Sequence, residues 1–237
     1  MRIWEKPIPG EVYAIGGDPS EGLDHGDDSV FQVGRLGTGE QVAEVQGKLD
    51  PFSFAELGYM LGNWYNVALI GIENNKDGGA NRHLFESGYK NIYFQQTETG
   101  EASRKPTPKL GFNTNLRTRP MLVAQARRWL EDGSAVIRSQ DLLGQFETFA
   151  LQGVRFEAIS GAHDDLVMAY MLMVEMMRVC SLTDQMMNEK LPVYWNGKRL
   201  DPAAEFEEVP LEERLIAQQK SKRGEDARYD TVLEAMV

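Results

Sequence analysis

A chain of 237 residues with 42% hydrophobic and 26% charged content suffices for one sizeable α/β domain with a smaller appendage. Its single cysteine, Cys180, excludes an internal disulfide framework and any Cys-x-x-Cys zinc site, which favours a reducing, intracellular setting. The formal net charge of −11 argues, as a total, against a surface built to hold phosphates.

Arg2, Glu5 and Lys6 interrupt any signal-peptide pattern, and the longest wholly apolar run, Leu166 to Val174, is too short to span a bilayer. Residues 11–18 (EVYAIGGD) read as a strand that ends in a turn at Gly16-Gly17 and delivers Asp18. Ser29 to Arg35 and Glu40 to Gln46, joined by the turn residues LGTG, read as a hairpin, giving three antiparallel strands. Pro51 opens a helix with Leu57, Met60, Leu61 and Trp64 at helical spacing. Val67 to Ile72 is a buried strand with Glu73 at its end.

Gly79 to Ser87 is a helix and Ile92 to Phe94 a short strand. Residues 95–118, rich in Thr, Asn, Pro and Gly, suggest loops or a flexible hairpin. Arg119 to Leu130 is an amphipathic helix, Ala135 to Ile137 a short strand, Asp141 to Leu151 a helix, and Gly161 to Val179 a long apolar helix. Three antiparallel strands followed by βαβ crossovers predict an α/β domain over 1–180, with a mixed central sheet flanked by helices. After about residue 181 charge rises and Pro192, Pro202 and Pro210 recur, so 181–237 read as an appendage or partner-docking tail, with one helix at Leu211 to Lys220.

The charge is unevenly spread. Ala102 to Leu130 carries seven basic residues (Arg104, Lys105, Lys109, Arg117, Arg119, Arg127 and Arg128) and no acidic ones. A solvated basic face explains this as well as a phosphate contact does. Four acids, by contrast, stand at the ends of elements: Asp18 and Glu73 after strands, Asp164 and Asp165 at the start of the last long helix. A helix cap accounts for Asp164, and a salt bridge to Arg82 or Lys76 for Glu73. Neither accounts for the set. Carboxylates that converge on one point repel, and the usual relief is a hard divalent cation bound through oxygen, Mg²⁺ or Mn²⁺. Two such ions clamp a phosphodiester for hydrolysis.

The motifs YAIGGDPSEG, LIGIENN and GAHDDLVMAYML, with KLGFNTNLRTRPMLVAQARRWLEDG between the last two, resemble the C-terminal nuclease domain of the large terminase subunit of tailed bacteriophages over roughly residues 1–180. The resemblance implies an RNase H-like fold and a Mg²⁺- or Mn²⁺-dependent endonuclease that cuts double-stranded viral DNA during genome packaging. It implies metal ligands at Asp18, Glu73 and Asp165, with Asp164 as a further ligand or a residue that orients its neighbour. It gives His163 a contact with metal-bound water or the scissile phosphate, unless His163 is simply hydrogen-bonded at the helix start. Arg104, Lys105, Lys109, Arg117 and Arg119 are the candidate DNA contacts. Asp27 and Asp28 are expected to shape the loop after Asp18, or to support the ligands from behind.

The implied partners are double-stranded DNA, a portal protein, a small terminase subunit and an ATPase motor, in the host cytoplasm and transiently at the procapsid portal. This chain departs from the family in having no G-x-x-x-x-G-K-[ST] phosphate loop, so the motor would lie elsewhere. Three other readings stay open. One is a resolvase or transposase with the same acids. Another is an actin- or sugar-kinase-like nucleotide-binding domain using GGDPSEG and DGGAN. The third is a non-catalytic portal-docking module in which Glu205, Glu207, Glu208, Glu212 and Glu213 meet a basic partner.

Overall fold

The computed structural model describes residues 1–23, 25–74, 78–96, 108–188, 193–195 and 198–200. Its centre is a five-stranded sheet: β1 (Arg2–Ile3), β2 (Tyr13–Asp18), β3 (Ser29–Arg35), β4 (Glu40–Gly47) and β5 (Leu69–Ile72), in the order β1-β4-β3-β2-β5. β2, β3 and β4 run antiparallel, and β5 joins β2 in parallel through the crossover helix α1 (Pro51–Trp64). This is the mixed sheet that the strand order predicts.

Alternation of side chains splits the core into two layers. Ala14 and Val30 face one side of the sheet, while Tyr13, Ile15, Phe31 and Val33 face the other, against α1 and α2 (Gly79–Glu86). There Phe31 stacks on Phe54 with ring centroids 3.8 Å apart. Asp50 starts α1 by accepting from the N–H groups of Phe52 and Ser53, with Pro51 in the first turn where no N–H is needed.

The first layer is closed by α3 (Thr118–Glu131), α4 (Gln140–Thr148) and the long helix α5 (Asp165–Asn188). From Leu166 to Val174 every residue of α5 is buried. α5 lies directly on β2 because Gly16 leaves room for its backbone: a Cβ there would overlap the Ala169 carbonyl oxygen. Gly71 similarly admits the Met176 thioether. The paired glycines thus set the distance between the sheet and the helix that carries Asp165.

Several elements differ from the expectation. α5 begins at Asp165 rather than Gly161, and continues past residue 180 to Asn188, through the expected domain boundary. The helix expected over Asp141 to Leu151 stops at Thr148, and the chain turns into a hairpin of β8 (Phe149–Gln152) and β9 (Arg155–Ala158). The two-residue turn of this hairpin holds Gly153 at φ +60°, a conformation that suits glycine. Ala135 to Ile137 form no strand, but Val136 makes a single bridge to Glu40. Ile92 likewise makes one bridge, to Ile70, and the strand lies just beyond it as β6 (Phe94–Gln96), paired with β7 (Pro108–Leu110). After α5, β10 (Val193–Trp195) pairs with β11 (Lys198–Leu200). The helix expected at Leu211 to Lys220, the acidic tail cluster, Lys76, and Asp77 of the DGGAN segment lie outside the described residues. Among the described residues no helix is long and apolar enough to cross a membrane.

Candidate metal centre

The sheet register places the first two acids side by side. Gly17 pairs with Ile72, and the Glu73 N–H donates to the Gly17 carbonyl at 2.8 Å, so Asp18 and Glu73 leave adjacent parallel strands together. Their carboxyl groups are close enough for Glu73 to raise the Asp18 carboxyl. α5 crosses β2 and brings Asp164 and Asp165 to the same end. All four acids line one cleft of about 790 Å³.

The electrostatics are those of crowded anions. Burial pushes the Asp18 carboxyl well above the usual range, and the charges of Glu73, Asp165 and Asp164 add to the effect. Asp165, only 7% exposed, is pushed up to about 6, first by burial and then by the charges of Asp27 and Asp164. The Asp28 N–H, donating to Asp165 Oδ2 at 3.1 Å, and the neighbouring His163 work the other way. Asp164 is also raised, chiefly by burial, with the Arg119 charge opposing. Among the described residues lining the cleft, Arg119 is the only lysine or arginine. An all-oxygen pocket with so little positive charge fits a hard divalent cation.

A second, tighter grouping meets the first at Asp165. Ligating atoms of Asp27, His163 and Asp165 all lie within 4.8 Å of one another. His163 Nδ1 is 3.6 Å from Asp27 Oδ1 and 3.9 Å from Asp165 Oδ2. Asp27 and His163 are exposed at the cleft rim, whereas Asp165 is buried. Asp27 therefore stands beside the acids rather than only shaping its loop, and its side chain reaches the His163–Asp165 pair. Asp28 does shape the loop: it binds Lys48 at 2.7 Å and Gln46 at 2.8 Å, which hold its carboxyl below the usual range despite burial. The signal for Asp27 was present in the sequence as the Asp27-Asp28 pair, but nothing local separated one from the other.

Asp164 occupies the start of α5 through its carbonyl, which accepts from the Met168 N–H. Its carboxylate does not cap the helix. It accepts from the Ala158 N–H and lies 3.4 Å from Arg119 Nη1. The Leu166 N–H is taken instead by Gln145 of α4, at 2.9 Å. Gln145 thus anchors the turn that bears Asp165, a contact across two helices that no sequence spacing reveals. Of the basic residues, Arg119 enters the cleft, while Lys109 and Arg117 are exposed and do not line it. Arg104 and Lys105 lie outside the described residues.

No protein-family model and no curated protein matches this chain by sequence. Solved structures do match by shape. The large terminase nuclease of thermophilic phage G20c with bound cobalt superposes with a TM-score of 0.59 at 18% identity, over 73% of this chain and 85% of that one. The same nuclease with bound magnesium gives 0.57 at 17% identity, over 73% and 85%. The large terminase nuclease domain of Thermus phage P74-26 gives 0.54 at 18% identity, over 72% and 82%. The fold is that of a large-terminase nuclease domain. Its mixed sheet is the one expected from the strand order and agrees with the RNase H-like fold that the resemblance implied; at this level of identity the likeness concerns the fold.

Proposed function

We propose that this chain is a divalent-metal-dependent endonuclease that cleaves double-stranded DNA during viral genome packaging. The observation that carries the reading is the convergence of Asp18, Glu73, Asp164 and Asp165 in one cleft, where burial and then neighbouring negative charge raise the Asp18, Asp164 and Asp165 carboxyl groups. The terminase nuclease fold, and cobalt or magnesium bound in a protein of that fold, support it.

In this reading Asp18, Glu73 and Asp165 hold Mg²⁺ or Mn²⁺, with Asp164 beside them. Asp165 belongs to both the acidic group and the Asp27–His163 rim, and it would be the ligand common to a pair of ions bound there. When bound, such a pair supplies an activated water and charge stabilisation for the leaving oxygen of the phosphodiester. The protein's own contributions are orientation and charge. The Asp28 N–H and Gln145 fix Asp165 and its helix turn. His163, exposed at the rim, would contact metal-bound water or the scissile phosphate. Arg119, which lines the cleft, is proposed as the inner phosphate contact, and Lys109, Arg117, Arg104 and Lys105 as outer contacts to the duplex. The net charge of −11 is compatible with this only if orientation on DNA comes from an assembly. The proposed partners are accordingly an ATPase motor, a portal protein and a small terminase subunit, at the procapsid portal in the host cytoplasm.

Supercoiled plasmid incubated with Mn²⁺ tests the reading. The wild-type protein is expected to nick and linearise it, and Asp18→Asn to leave it intact with the fold preserved. Equal cutting by both would remove Asp18 from the machinery. Cutting confined to branched junctions would favour a resolvase instead.

A further inference from the structure

Arg119 joins three parts of the molecule. It opens α3, and its Nη1 donates to the Phe156 carbonyl of β9 at 2.5 Å while lying 3.4 Å from Asp164 Oδ2. Asp164 returns to the same strand by accepting the Ala158 N–H. The arginine, the aspartate and β9 therefore close a ring. The ring is shielded: the Arg119 and Asp164 side chains are 22% and 23% exposed. Arg119 also forms the wall between the acidic cleft and a second groove of about 380 Å³, which runs between the β8–β9 hairpin and residues 114–120.

These contacts direct Asp164 sideways, toward the hairpin, while its charge still reaches Asp18 and Glu73. A carboxylate oxygen that faces a guanidinium and a backbone N–H is not free to complete the shell of a hard cation, which demands close oxygen ligands. Guanidinium and divalent cation thus compete for one carboxylate.

We propose that Arg119 is a positioning residue that clasps Asp164 onto β9, and that divalent-cation binding in the cleft opens this clasp. The proposal rests on the metal-dependent reading of the cleft. Opening releases Asp164 to the cation. It also leaves the Arg119 guanidinium without its carboxylate, facing the cleft where a phosphate supplies the missing negative charge. The Asp164–Ala158 hydrogen bond breaks in the same event, so the end of β9 loosens while the Gln145–Leu166 contact stays closed.

The test needs no DNA. Melting temperature is followed against Mn²⁺ concentration, and amide hydrogen exchange is measured with and without Mn²⁺ on the full chain. In the wild-type protein, Mn²⁺ is expected to accelerate exchange at Ala158 and to leave Leu166 protected. Arg119→Gln is expected to lower the Mn²⁺ concentration at half-effect by roughly three- to tenfold, as a partly buried competing charge is removed. Arg119→Lys, which keeps the charge, is expected to stay close to wild type. In an Asp164→Asn background the Arg119→Gln shift is expected to fall to less than about twofold, since the coupled partner is gone. A wild-type protein that binds Mn²⁺ with unchanged Ala158 exchange would overturn the clasp and leave the cation site standing. Equal Arg119→Gln shifts in both backgrounds would also overturn it, by reducing Arg119 to a general positive charge. A wild-type protein whose melting temperature ignores Mn²⁺ would overturn both the clasp and the cation site beneath it.

Discussion

Glu44 and Asp18 belong to neighbouring parts of one sheet, and burial acts on both, yet they keep opposite company. Glu44 is 2% exposed and surrounded by donors: Gln32 Nε2 at 2.9 Å, Gln41 Nε2 at 3.4 Å and Arg2 Nη1 at 3.2 Å. Gln41 extends the network by accepting the N–H groups of Arg138 and Ser139, which sets the start of α4, and Arg2 reaches on to Asp141. Asp18 faces Glu73, Asp164 and Asp165, whose charges raise its carboxyl further after burial. A buried acid among donors ties elements together. A half-buried acid among acids lacks a counter-charge, which is the charge the proposed cation would supply.

The largest expected effect separates these two roles in catalysis. Asp165→Asn is expected to reduce Mn²⁺-dependent plasmid cleavage by more than about a hundredfold, because in the proposed reading Asp165 is a direct ligand, which matters more than its supporting contacts. Glu44→Ala is expected to cut at the wild-type rate at temperatures where it is folded. Comparable losses in both variants would erase the distinction.

Stability is expected to show the reverse order. Glu44→Ala leaves Gln32, Gln41 and Arg2 short of an acceptor and is expected to destabilise by about 3 kcal/mol. For a domain of this size that lowers the melting temperature by about 6–12 °C. Asp18→Asn removes a repelling charge and is expected to melt at or above the wild-type temperature when no metal is present. A metal-free Asp18→Asn protein that melted far below wild type would make Asp18 a structural residue like Glu44.

The smallest effect is a pH dependence. Asp165 titrates near 6 in the folded protein against an ordinary value of 3.8, so the folded state holds a proton that the unfolded chain has lost between these values. A raised carboxyl therefore favours the fold at low pH, and this contribution is lost as pH rises from about 4 through 6. Asp28, held below the usual range by Lys48 and Gln46, contributes with the opposite sign. The informative quantity is thus the difference between wild type and Asp165→Asn, both free of metal. Relative to the variant, the wild type is expected to lose stability between pH 4 and pH 7. A difference that stays flat over that range would contradict the raised carboxyl.

The same contrast explains how much was legible in the sequence. β3 spans Ser29–Arg35 as predicted, and α1 begins at Pro51, because alternation, turn residues and a proline-led first turn are local signals. The acids were visible because each stands where a strand pattern stops or a helix pattern starts. The β8–β9 hairpin was missed because Phe149 and Ala150 continue the helical spacing of α4, and only Gly153 marks the turn. The Glu44 network, the Gln145–Leu166 anchor and the Arg119 ring join residues tens of positions apart through single polar contacts. Such contacts leave no periodic trace. Asp27 and Asp28 are adjacent and chemically alike, and only the fold sends one to His163 and the other to Lys48.

Whether the four cleft acids form a cation site is decided by anomalous diffraction from crystals soaked in Mn²⁺. Manganese is expected between the carboxylates of Asp18, Glu73 and Asp165, with Asp164 drawn toward it. Manganese absent from the cleft, with Asp164 still on Arg119 and Ala158, would contradict the cation site.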